Sequence, residues 1–304
     1  MSPTQHPYPD QQAAAKDCAS HQPYIAPFYC LESQSFSYIV CDPCTKECAL
    51  IDSVANFDFS RGKLSYQFVE TIIRFIEAKE LKLKWILETQ IHTAHISASS
   101  YVKARLGGKI GISAAVQSLI DWLADYPEIH KRVSTPGDYF DHLFNDAEHY
   151  QLGELQCRAI ATPGHSPACM AHLIEDCLFV GPTLLMPDIG VARTNLPNGN
   201  SEALYHSIKK ILSLPENTRL FVGHDYNRQA RELEFETTIA LQQQNNIELF
   251  SPFEATEFVY RKQQKEPEIK TPKLMWHALQ LNLRAGQRPD THDADITYLQ
   301  VPLR

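Results

Sequence analysis

A chain of 304 residues with 43% hydrophobic and 21% charged side chains carries enough apolar material for one large core or two modest ones. Its charge content is that of a folded protein rather than a disordered one. The formal net charge of −8 speaks against nucleic acid or an anionic membrane as a partner. No apolar run reaches the roughly 18 residues that a membrane-spanning helix needs.

Residues 1–22 are polar, with Pro, Gln, His and Asp. They lack the basic start and apolar stretch of a secretory leader, so a flexible tail and a cytoplasmic protein are expected. The eight cysteines are scattered along the chain, as reduced thiols usually are. Cys41, Cys44 and Cys48 have a spacing that metals use, yet no second CxxC completes a four-thiolate set. Asp42-Pro43 between two apolar runs is turn chemistry, so the segment is expected to be a hairpin.

Strands are expected over 37–40 and 49–54, then a helix over 67–79 from the spacing of Phe68, Ile72, Ile73, Phe75 and Ile76. A strand over 83–88 runs into Thr89-Gln-Ile-His-Thr-Ala-His95. A short helix over 97–105 ends at Gly107-Gly108, and a strand covers 109–113. Residues 114–147 read as helix and loop without strong strand character. Strands return over 156–161, 170–174 and 177–181, followed by an amphipathic helix over 201–212 and a strand over 219–223. A helix over 227–245 and a strand-like 297–301 close the pattern. The Glu-, Lys- and Pro-rich part from about 246 is taken as an extension of one domain spanning 23–304.

Polar motifs stand where these strands end, which is where a rigid sheet presents functional side chains. His92, His95, His165 and His224 all lie there, and neutral imidazole is a common ligand of transition metals. Spacing alone leaves a metal site and ordinary buried histidines equally open.

The motifs go further. Ala49-Leu-Ile-Asp-Ser53, Glu88-Thr-Gln-Ile-His-Thr-Ala-His-Ile-Ser97, Ala161-Thr-Pro-Gly-His-Ser-Pro-Ala168, Phe179-Val-Gly-Pro-Thr-Leu184, Met186-Pro-Asp188 and Gly223-His-Asp-Tyr226 resemble the metallo-β-lactamase superfamily, in its persulfide dioxygenase and glyoxalase II branch. The resemblance covers nearly everything from Pro27 onward. It implies an α/β fold, the four-layer αββα sandwich, and a family activity of O₂-dependent oxidation of glutathione persulfide to sulfite and glutathione.

The family's Thr-His-x-His-x-Asp-His is altered here. Gln90 stands at the first histidine and Ala94 at the aspartate, while His92 and His95 match the other two. His165 and His224 match the later histidines, and Pro182 replaces the aspartate of Gly-Asp-Thr. The resemblance therefore implies that every carboxylate ligand of the motif is missing. The two-histidine, one-carboxylate iron set keeps only His165. Loss of activity in a pseudoenzyme that binds a thiol metabolite or serves as a scaffold is one expectation. A relocated single Zn or Fe ion among the four histidines, serving a glyoxalase II-like thioester hydrolysis, is another. In that case Asp188 or Asp225 would approach as a substitute carboxylate. A site without metal stays equally open. Arg193 and Tyr226 match substrate-side positions, implying a small thiol or persulfide such as a glutathione derivative as ligand; Arg193 is otherwise a loop anchor. Asn282 and Arg284 match positions near the cleft. A homodimer is implied by the family alone.

Overall fold

The computed structural model describes residues 22–131, 133, 138–196, 198–226, 231–249, 251–266, 270, 272–289 and 297–302. All but the last residue of the expected tail lies outside them. Three antiparallel strands open the fold: β1 (Tyr24–Cys30), β2 (Ser35–Cys41) and β3 (Glu47–Ile51). The β2–β3 connection is the hairpin expected at Asp42-Pro43, with Cys41 directly opposite Cys48. Its turn is held by Asp42, whose carboxylate accepts from the Cys44 amide and the Thr45 hydroxyl. The described cysteines are free thiols, and none belongs to a metal-like cluster among the described residues.

A second hairpin, β4 (Val54–Asp58) and β5 (Lys63–Ser65), leads to α1 (Gln67–Ala78). Val69, Ile72, Ile73 and Ile76 recur at helical spacing and are all buried, each contributing about 2 kcal/mol of apolar transfer. The helix returns the chain so that β6 (Lys82–Leu87) runs parallel to β3. After β7 (Ile96–Ser97) and α2 (Ser99–Leu106), β8 (Lys109–Ser113) adds parallel to β6. Then α3 (Val116–Trp122) and α4 (Pro127–His130) precede β9 (His142–Phe144), a strand within a stretch that shows no strong strand character in its sequence.

The second half begins with β10 (His149–Leu152), β11 (Leu155–Ala161), β12 (Met170–Ile174) and β13 (Cys177–Phe179), an antiparallel meander. Helix α5 (Ser201–Leu212), capped by the Asn200 side chain on the Ala203 amide, carries the chain to β14 (Arg219–Phe221), parallel to β13. Of the expected helix over 227–245, residues 227–230 lie outside the description, 231–235 are irregular, and β15 (Glu236–Thr238) and α6 (Ile239–Asn245) take the rest. Helices α7 (Ala255–Lys265) and α8 (Met275–Asn282) complete the elements. The expected strand over 297–301 is absent, for those residues pair with no strand among those described.

Two six-stranded sheets result, ordered β1-β2-β3-β6-β8-β9 and β10-β11-β12-β13-β14-β15. β2 explains how they stack. Phe36, Tyr38 and Val40 point into a core shared with Phe179, Phe221 and Leu220 of the second sheet. Ile39 and Cys41, on the other face, join a core with Ile72 and Ile76 of α1 and Leu279 of α8. Period-two alternation with both faces buried gives a continuous apolar run. On the far side of the second sheet, Leu204, Ile208 and Ile211 of α5 pack onto the inter-sheet core. The layers are therefore helix, sheet, sheet, helix, as expected. No helix among the described residues is long and apolar enough to cross a membrane.

Candidate metal centre

The parallel pairs β3–β6 and β13–β14 place their carboxyl ends along one edge, and the loops leaving them build the site. There the two sheets meet: the Phe36 amide donates to the Gly223 carbonyl at 2.9 Å, and Gly223 in turn donates to Gly181 at 2.9 Å.

β3 ends in Asp52, held at φ 52°. Its buried carboxylate accepts from the Thr89 amide at 2.8 Å, the Thr89 hydroxyl at 2.7 Å and His92 Nε2 at 3.0 Å. Burial alone would disfavour the carboxylate, but His92 and these donors outweigh it and lower its pKa. Glu88, also buried, takes the Ser97 and Ser99 hydroxyls on one oxygen. Desolvation pushes it up to about 7. The negative charge of the acid pair thus sits on Asp52. Burial works against the His92 imidazolium, yet Asp52 beside it raises the pKa overall.

Asp52 also fixes the His92 tautomer. With Nε2–H donated to Asp52, Nδ1 keeps its lone pair and faces the Gln90 side-chain amide, whose Nε2 lies 3.1 Å away. His165 donates Nδ1–H to the Arg193 carbonyl at 2.7 Å, and His224 donates Nδ1–H to the Gln34 carbonyl at 3.1 Å. His165 and His224 are each left with one bare nitrogen, whereas both nitrogens of His92 are engaged, by Asp52 and by Gln90. An oxygen acceptor on the outer nitrogen is the usual support of a metal-ligating histidine. His95 differs: it is buried, stacks on His92 with centroids 3.9 Å apart, and neither of its nitrogens has a hydrogen-bond partner. Asn282 fixes this loop, donating to the His92 and His95 carbonyls and accepting from the Ser97 amide. Arg284 instead lies over the Tyr139 ring.

One nitrogen each from His92, His95 and His224 lies within 4.8 Å of the other two. His165 lines the same cleft but stands outside that group, so three of the four histidines converge rather than all four. Asp52, Glu88 and His92 form a second such group, deeper and more acidic. Asp188 and Asp225, the expected substitute carboxylates, stand outside both groups. Arg231 holds both, at 2.9 Å from Asp188 and 2.7 Å from Asp225, which turns them to a cation on the flank of the site.

The cleft has a volume of about 290 Å³. Gln90, Ala94 and Pro182, the three departures from the motif, all line it, as do Arg193 and Tyr226. Arg193 donates to the Asn195 side chain at 2.7 Å and the Lys270 carbonyl at 2.9 Å, which anchors its loop. Tyr226 stacks on His224 at 5.6 Å.

Close approach explains Gly181, at φ +53°. An added Cβ would come within 2.3 Å of Thr89 Oγ1, the group that donates to Asp52. Gly181→Ala is expected to lower stability by about 1–3 kcal/mol through overpacking. A urea midpoint equal to that of the unmodified protein would contradict this contact.

Burial pushes His165 and His224 down to about 4 from an ordinary 6.5. The unfolded chain takes up protons on these rings below 6.5, the folded chain only near 4, so stability falls with acid across that interval. Each ring accounts for on the order of 3 kcal/mol. Glu88 acts in the opposite sense: the folded chain keeps its proton to about 7, the unfolded chain loses it near 4.5, and stability falls as pH rises between them. His92, whose pKa is raised, acts in the same sense as Glu88, and the three lowered rings His95, His165 and His224 outweigh them. Urea midpoints of chelator-treated protein should therefore drop steadily from pH 6.5 to pH 4. A flat profile would show these rings to be solvated.

An αββα sandwich whose sheet edge gathers buried histidines beside a cleft is the architecture of the metallo-β-lactamase fold. The chain belongs to the metallo-β-lactamase superfamily, whose family model matches residues 31–224. It is similar to glyoxylase B2 of Dictyostelium discoideum, 38% identical over 93% of this chain and 98% of that protein. It also resembles the persulfide dioxygenase ETHE1 of Bos taurus, 27% identical over 64% of this chain and 66% of that one. Among solved structures, ETHE1 from Myxococcus xanthus shares the fold with a TM-score of 0.70 at 23% identity, covering 87% of this chain and all of that one (100%).

Asp52 and Glu88 were not recognised as site residues from the sequence. The signal was an acid placed directly after each of two parallel apolar strands, where a surface turn would read the same.

Proposed function

We propose that the chain holds one divalent ion on His92, His95 and His224 and uses the cleft to hydrolyse a small thiol ester, having lost the persulfide dioxygenase activity of its branch. The observation that carries this reading is His95. Two unpartnered nitrogens on a fully buried ring cost about 1–3 kcal/mol each, and the ring lies beside His224, which keeps one bare nitrogen, and His92, whose Nδ1 meets only the neutral Gln90 amide. Three neutral imidazoles with an open position are a zinc set, whereas oxygen-activating iron takes a carboxylate. Arg231 holds both Asp188 and Asp225, and the Asp52 carboxylate is taken up by Thr89 and His92. Bound there, the ion would supply Lewis acidity and a nucleophilic water near neutral pH. His165, neutral and with Nε2 bare, can take a proton at the cleft wall. Tyr226 walls the mouth, and Arg193 supplies positive charge for a thiol metabolite's carboxylate.

One contact favours a second reading, a metal-free binding protein: the Gln90 amide already occupies His92 Nδ1. Metal content decides between them, together with hydrolysis of acyl thioesters by zinc-loaded protein. The first reading expects zinc-dependent turnover and no oxygen uptake with glutathione persulfide. Thioester or persulfide binding without bound metal would replace it with the second.

A further inference from the structure

The cleft ends against α7. There Lys262 is buried with its ammonium 3.1 Å from Glu248 Oε2 and 3.1 Å from Glu266 Oε1. Lys265 reaches the other Glu248 oxygen at 2.5 Å. Glu248, Lys262 and Lys265 line both the histidine cleft and a second hollow of about 220 Å³ bounded by Ile247, Phe258 and Arg261. The ion-paired side chains are thus the wall between two cavities. Charges buried in this way carry a desolvation penalty that pairing only partly offsets, so such a wall is a poor device for stability alone. It is also tied to the site. The Glu266 carboxylate accepts from the Thr194 amide and hydroxyl, and the carbonyl of the preceding Arg193 accepts from His165.

We propose that the Glu248–Lys262–Lys265 wall sets the length of ligand that the cleft accepts. The ligand class is a thioester or thioether bearing a short unbranched aliphatic chain. Its polar head lies at the histidines and its chain runs along Leu185, Ile189, Val191 and Leu196 until it meets the wall. A chain reaching further has to break the ion pairs to enter the second hollow. This rests on the cleft being the ligand site and is independent of the metal.

Calorimetric titration of the chelator-treated full chain with alkyl thioethers of N-acetylcysteamine, from ethyl to dodecyl, tests it. Affinity should rise about fourfold per added methylene and then stop rising at an intermediate length. In Glu248→Ala/Lys262→Ala the rise should continue to longer chains. The Glu266 carboxylate that loses Lys262 is still held by the Thr194 amide and hydroxyl, and a urea midpoint checks that the variant folds. Lys265→Ala, which deletes only the solvent-exposed arm, should shift the break by a smaller amount. Breaks at the same length in both variants and the parent would overturn the proposal. So would a parent profile without any break, and neither outcome would alter the metal count on which the hydrolase reading depends.

Discussion

Asp52→Ala is expected to destabilise the chain by about 3–5 kcal/mol, most of the stability of an ordinary domain. The carboxylate is a hub for three buried donors: the Thr89 amide, the Thr89 hydroxyl and His92 Nε2. Alanine would leave all three without an acceptor in a dry site, and an orphaned buried donor costs more than the bond contributed. His92 would also lose the group that fixes its tautomer and raises its pKa, so metal affinity should fall by about 10–100-fold as well. Asp52→Asn separates the two effects. It keeps the shape and one acceptor while removing the charge, so the stability loss should be smaller and the His92 pKa should drop. Urea midpoints and an NMR titration of His92 read both. An unchanged midpoint in Asp52→Ala would mean that the hub does not hold the loop.

Restoring the motif with Gln90→His, Ala94→Asp and Pro182→Asp should raise the bound metal from one ion to two. All three positions line the same cleft as His92, His165 and His224, so the new donors would enter the space in which the old ones already point. Gln90→His also removes the amide that sits on His92 Nδ1. Two carboxylates added to that wall should lower stability without metal and raise it with metal. At a free ion concentration a thousandfold above the dissociation constant, the gain is about 4 kcal/mol. Melting temperatures with and without Zn²⁺ should therefore diverge far more for the triple variant than for the parent. Equal shifts would show that the cleft has drifted beyond the loss of individual ligands.

Much of the frame was legible in the sequence because it depends on local periodicity. The apolar spacing of α1 and α5 announced those helices within about a residue, and the apolar run of β2 announced its strand within about two. β1 escaped because Pro27 interrupts it. Proline is tolerated at a sheet edge, which is where β1 lies. β9 is three residues long and is defined by its pairing with β8. The strand expected at the C-terminal end has the right composition but pairs with no strand among the described residues. In the site, the histidines at strand ends were readable from their motifs. The capture of Asp188 and Asp225 by Arg231 was not, since it joins residues 43 and 6 positions apart through the fold. Nor was the role of Asp52, because a buried acid and a turn acid look alike until their hydrogen-bond partners are seen.

The most direct test of a single histidine-held ion is the metal content of the full-length chain. Protein loaded with Zn²⁺ and desalted would be assayed by plasma mass spectrometry beside His95→Ala and His224→Ala. The expected result is one equivalent in the parent and almost none in either variant, with all three folded by circular dichroism. Metal-free parent protein, or an ion retained undiminished in both variants, would contradict the site.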